Sequence, residues 1–99
     1  MKTFSKKEYV IAHLLAAGHI SSWQAINIYQ HTRLSTVIHE LRTAGAAIRT
    51  ADEPHVGGTH ARYHVIDQAT VLNTLTPRLR ENVEFLMKAA NDPNFQLPH

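Results

Sequence analysis

The sequence predicts an α+β fold, mostly α, made of three helices, a β-hairpin and a C-terminal helical extension. Three observations carry this. Apolar residues recur at helical spacing up to Gly45, alternate between residues 46 and 66, and return to helical spacing after Asp67. Ninety-nine residues with 43% apolar content suit one compact domain with a modest core.

After a loose start over residues 1–4, Ser5 and Glu8 form an S-x-x-E capping box ahead of a helix from about Lys6 to Ala17. Gly18 ends it, and Tyr9, Val10, His13, Leu14 and Ala17 form its expected core stripe. His19-Ile20 is a minimal strand leading into a second capping box, Ser21 with Gln24. Trp23, Ala25, Ile26 and Ile28 supply the apolar stripe of a short second helix that stops near Tyr29. Thr32 is the expected N-cap of a third helix, whose buried face is Leu34, Val37, Ile38 and Leu41 at i, i+3, i+4 and i+7. Gly45 closes it with a left-handed residue.

Beyond Gly45, residues 46–50 read as a strand with Ile48 inward and Arg49 outward. Residues 51–59, holding Pro54 and Gly57-Gly58, read as a loop. The next strand, His60 to Ile66, sets Ala61, Tyr63 and Val65 on one face and His60, Arg62 and His64 on the other. Three helices followed by a hairpin is the order of a winged helix-turn-helix, the hairpin being the wing. Residues 1–66 are its expected extent.

Asp67 caps a short helical turn through Leu75, and Thr76-Pro77 opens a further helix with N-cap and N1 proline. Leu79, Val83, Leu86 and Ala90 form its stripe, widened by Phe85 and Met87. That stripe either packs back on the domain or pairs with its twin in a homodimer. Residues 67–90 are thus an extension, and 91–99, with two prolines and no periodicity, a flexible tail.

The third helix buries one side and offers Arg33, Ser35, Thr36, His39, Arg42 and Thr43 on the other. Hydroxyls, arginines and a histidine on one helix face suit the major groove of double-stranded DNA, although a solvated face has the same composition. On this reading Arg33 and Arg42 hold phosphate or guanine, and Ser35, Thr36 and His39 face base edges. The wing touches the backbone through Arg49 or Arg62, whose planar forks favour phosphate. Its His55, His60 and His64 are titratable, and Lys2, Lys6 and Lys7 gather near the N-terminus.

The net charge of +2 is unevenly placed, since residues 1–51 hold six Lys/Arg against two Glu, and 52–99 four against six acids. A mildly basic first half fits a small nucleic-acid module. There is no cysteine, hence no disulfide or thiolate metal site, and no apolar run long enough to span a membrane. No basic-then-apolar leader pattern opens the chain, so a cytoplasmic setting is expected.

His60 and His64 share a strand face but lie roughly 13 Å apart at extended spacing, too far to share an ion. No HxH occurs, and the HxxxH spacing of His60 and His64 falls on a strand, where it does not bring the two rings together, so no metal and no cofactor are expected. The eight acids are scattered, with no nucleophile elbow and no phosphate-cradling glycine loop. The chain reads as a binder and not an enzyme.

The stretches ISSWQAINIY, HTRLSTVIHELRTAG and ARYHV resemble a small winged helix-turn-helix family found in bacteriophages and prophages. The resemblance spans about residues 9–66 and implies DNA binding in a bacterial or phage-infected cell: a transcriptional regulator, an excisionase-like factor or a replication accessory factor. It departs at the helix-helix turn, where Tyr29-Gln30-His31 stands in place of glycine. A turn that needs positive φ imposes it on Gln30 with some strain. The alternative function is a winged-helix scaffold that captures a host protein through Leu79, Val83, Phe85, Leu86 and Met87.

Overall fold

A computed structural model describes residues 4–55 and 57–90. The tail expected over 91–99 and the side chains of Lys2, His55 and Ala90 lie outside it. The described elements are α1 (Lys6–Ala17), β1 (His19–Ser21), α2 (Ser22–Tyr29), α3 (Leu34–Thr43), β2 (Ala47–His55), β3 (Gly58–Asp67), α4 (Gln68–Thr74) and α5 (Pro77–Ala90).

Both capping boxes form. The Ser5 hydroxyl accepts from the Glu8 amide at 3.1 Å while Glu8 accepts from the Ser5 amide at 2.8 Å. Ser21 and Gln24 repeat the exchange at 3.0 and 2.9 Å, which turns the chain from β1 directly into α2. Glu8 is buried and also accepts from Asn82 of α5. Burial pushes its pKa up, but the bonds from Ser5 and Asn82 outweigh this and hold it below the ordinary carboxylate value.

α1 lies at the centre, and Val10, Ile11, Ala12, Leu14 and Leu15 are all buried. This face is wider than the expected stripe, because α5 covers α1 on one side while the sheet and α2 cover it on others. Tyr9 and His13 are half-buried, and Ala17 is exposed. α2 also departs from expectation. Ala25 and Tyr29 are buried and Ile28 half-buried, whereas Trp23 and Ile26 are 47% and 44% exposed. Eight residues with apolar groups all round can bury only one side, and the i, i+3, i+4 set of 25, 28 and 29 takes it.

α3 buries Leu34, Val37, Ile38 and Leu41 as its spacing predicts. Its N-cap is Arg33 and not Thr32, with no side-chain cap bond. At the other end the Gly45 and Ala46 amides donate back to Arg42 and Leu41 carbonyls at 3.0 and 2.9 Å, the double closure that φ of 116° at Gly45 allows.

β1, β2 and β3 form an antiparallel sheet in the order β1-β3-β2. The hairpin is longer than the sequence suggested: β2 pairs with β3 from Ala47↔Asp67 out to His55↔Gly58. Most of the expected loop over 51–59 is therefore ladder, since backbone pairing tolerates polar residues there. Pro54 is accommodated because β2 is an edge strand, where a missing amide hydrogen is tolerated. Ile20, Ile48 and Tyr63 are buried on the sheet's core face.

The Asp67 side chain accepts from the Ala69 amide at 3.1 Å to start α4, and Thr76 accepts from the Leu79 amide at 3.3 Å to start α5. Val71, Val83 and Leu86 are fully buried in the same apolar cluster as α1. The extension thus packs back on the domain, each such side chain contributing about 1.5–3 kcal/mol of burial.

Candidate nucleic-acid interface

α3 presents Ser35, Thr36, His39, Glu40 and Thr43 to solvent, with exposed Arg33 at its start. These groups sit on one helical face because the four buried apolar residues fix the rotation of α3 against the core. The acid on this face, Glu40, is engaged by Lys7 of α1 at 3.3 Å.

The angle at which α3 leaves α2 is set by the turn. Gln30 adopts φ 54° and ψ 36°, the left-handed conformation, and is the only non-glycine residue with positive φ among the described residues. Its amide and that of His31 donate to the Ile26 and Ala25 carbonyls, both at 2.9 Å, so α2 ends abruptly. His31 Nδ1 accepts from the Arg33 amide at 3.3 Å. Burial, together with the Lys6 charge, lowers the His31 pKa and keeps that ring nitrogen an acceptor at neutral pH.

Two of the four candidate arginines point elsewhere. Arg42 donates from Nε and Nη2 to the Ile48 carbonyl at 3.0 and 2.8 Å, and from Nη2 to Thr50 Oγ1 at 2.6 Å. Its guanidinium also lies 5.8 Å from the Tyr63 ring centroid. Arg62 donates to Glu53 at 2.7 Å, to His19 Nδ1 at 2.8 Å and to Gln24 at 3.1 Å. Each guanidinium is thus engaged in part inside the chain, Arg42 through Nε and Nη2 and Arg62 through Nε and Nη1, and both brace the sheet. Arg49 stays exposed, on the sheet face opposite Ile48. The hairpin from Thr50 to Ala61 has no Lys or Arg at all. The wing tip therefore lacks the permanent cations that a phosphate contact would use.

The sheet's outer face is ordered by its histidines. Trp23 stacks on His60 with centroids 5.2 Å apart, and the His19 and His64 rings lie 5.7 Å apart. Glu53 is held below the ordinary carboxylate value, first by the hydrogen bond from Arg62. Desolvation, with Arg49 and its cationic neighbours, lowers His64. Among the described residues, no three His, Asp or Glu side chains converge as metal ligands.

On α5 the structure separates the residues expected to meet a protein partner. Val83 and Leu86 are 0% exposed and belong to the core, so they are unavailable to any partner. Leu79 and Met87 are half-buried against that core, and Phe85 is 50% exposed with its ring stacked on Phe4 at 5.6 Å. Helical spacing alone cannot tell a stripe that meets α1 from one that meets another chain.

A winged helix domain model matches residues 3–75. The chain belongs to this winged helix family. No curated protein and no solved structure matches it significantly. In winged helix terms α2 and α3 are the helix-turn-helix, β2 and β3 the wing, and α5 lies beyond the matched region. No helix among the described residues is long and apolar enough to cross a membrane.

Sequence reasoning missed the bracing roles of Arg42 and Arg62 and the pairing of β1 with β3. It also missed the 2.8 Å bond between His13 and Tyr29. The signal for Arg42 was present: it lies in the last turn of α3, a few residues before β2, within reach of that strand's first carbonyls.

Proposed function

We propose that this winged helix protein binds double-stranded DNA, laying α3 in the major groove with Ser35, Thr36 and His39 toward base edges and Arg33 on phosphate. The observation that carries the reading is the solvent face of α3, where these four side chains share one exposed surface. The uncapped start of α3 adds amide donors beside Arg33, a polarity that favours a phosphate. Arg49 is the wing's backbone contact, since Arg62 is engaged by Glu53, His19 and Gln24. The biological setting is a phage or prophage regulator, an excisionase-like factor or a replication accessory factor, acting in the cytoplasm.

The test is fluorescence anisotropy of a labelled duplex at two salt concentrations, with wild type beside Arg33→Ala and Glu84→Ala. Affinity should fall steeply with salt and again with Arg33→Ala, while Glu84→Ala behaves as wild type. Equal affinities for the two variants would remove α3 from the DNA. The competing readings, a homodimer through α5 or capture of a host protein, now rest on Phe85 with the edges of Leu79 and Met87, because Val83 and Leu86 are enclosed.

A further inference from the structure

The turn between α2 and α3 holds an imidazole that the proposed α3 contacts leave unused. Arg33 is the N-cap residue of α3, and its side chain makes no cap bond. The acceptor at this helix start is His31, whose Nδ1 takes the Arg33 amide hydrogen at 3.3 Å. A ring nitrogen that accepts carries no proton, so this bond exists only while the imidazole is neutral. The turn fixes the ring there: Gln30 is left-handed, and the His31 amide donates back to the Ala25 carbonyl at 2.9 Å. The charged groups at this turn are Arg33 itself and Lys6 of α1, whose Nζ reaches the Gln30 carbonyl at 3.4 Å. The carboxylate that α3 turns toward α1, Glu40, is held by Lys7 at 3.3 Å. Burial first, then the Lys6 charge, lowers the His31 pKa and keeps the ring neutral at neutral pH.

One proton reverses what this ring does for an anion at the start of α3. The neutral ring occupies the Arg33 amide, one of the donors that a helix start offers to a phosphate. The protonated ring releases that amide, makes Nδ1–H a donor in its place and adds a positive charge beside Arg33 and Lys6. Without an anion that charge stands among like charges and is disfavoured, whereas a phosphate between Arg33 and the ring compensates it. We propose that protonated His31 is a phosphate-binding residue of the duplex site, and that the protein takes up a proton at this turn when it binds DNA. The contact rests on the placement of α3 in the major groove, and it adds a direction of pH dependence. A group more basic in the complex than in the free protein makes affinity rise as pH falls.

The full chain is titrated against a labelled random-sequence duplex at about pH 7.5 and about pH 6, at one ionic strength, with anisotropy as the readout. Wild type is set beside His31→Gln, His31→Lys and His39→Gln. Glutamine keeps a neutral acceptor for the Arg33 amide, and lysine supplies a permanent cation. Wild type should bind several-fold tighter at the lower pH, His31→Gln should lose most of that gain, and His31→Lys should exceed wild type at the higher pH. His39→Gln, on the exposed face of α3, should keep the gain. Thermal melts at both pH values check that each variant is folded. A wild-type affinity indifferent to pH, a gain undiminished in His31→Gln, or a gain lost in His39→Gln would each overturn the role of His31 and leave duplex binding standing. No duplex binding by wild type at either pH would overturn the α3 reading and this contact with it.

Discussion

Arg42 and Ile48 are joined by two hydrogen bonds to one carbonyl, at 3.0 and 2.8 Å, and this fastens the last turn of α3 to the first residues of the wing. The same guanidinium reaches Thr50 at 2.6 Å. A planar fork that satisfies a strand carbonyl and a hydroxyl together has no equivalent in lysine.

Arg42→Met is therefore expected to lower stability by about 1–2 kcal/mol, and Arg42→Lys to recover little of it. The salt slope of DNA binding should stay at the wild-type value, because no phosphate contact is removed. Denaturant midpoints and a salt titration on the same variants check both halves. A slope reduced by about one would return Arg42 to the DNA.

Gln30 holds a left-handed conformation that glycine adopts without strain. Gln30→Gly should stabilise the domain by about 0.5–1 kcal/mol, relief of strain outweighing the added freedom of the unfolded chain. A melting temperature raised by a few degrees is the expected reading. An unchanged or lower value would mean the turn relaxes in solution.

Acid should weaken the fold in two stages. Burial lowers the His13 pKa, helped by the charges of His19 and Arg62, and desolvation likewise lowers His31 and His64. A histidine depressed in the folded state binds fewer protons there than when unfolded. Its contribution is complete above the ordinary histidine value of 6.5 and is lost as pH falls below it. Glu8 and Glu53, both depressed, lose theirs only below about 4.5. Urea midpoints should decline from pH 7 to 5, level as the histidines finish, then fall again. On the alkaline side, burial pushes the Tyr29 phenol up to about 12, so stability falls once pH passes 10.

Leu86→Ala should cost about 2–5 kcal/mol, since its side chain is fully enclosed between α5 and α1. Phe85→Ala, removing a half-exposed ring that rests on Phe4, should cost clearly less. Calorimetry on the two variants ranks them. The reverse order would make the exposed side of α5 the one that matters.

The fold was legible where a single periodicity decided it. The i, i+3, i+4, i+7 set of α3 and the S-x-x-E and S-x-x-Q boxes act through near neighbours, so each is written locally in the chain. Trp23 and Ile26 were misplaced because a short helix with apolar groups all round has no unique inner face; its rotation is decided by Ala25, Ile28 and Tyr29 meeting α1. The strands ran longer than the alternation because ladder bonds belong to the backbone and leave no mark in side-chain type. The α3 surface was readable as composition, whereas the diversion of Arg42 and Arg62 into the protein depends on partners 6 and 43 residues away that only the folded chain brings near.

The two edges of the sheet are blunt. β1 is three residues long, and the outer edge of β2 carries Pro54 and has a register irregularity at Ala47/Ile48. Neither edge offers a long, regular row of open amides and carbonyls for a stranger's strand to copy. A nine-residue edge strand interrupted in this way is a poorer template for fibril growth or hairpin exchange than a smooth edge of the same length.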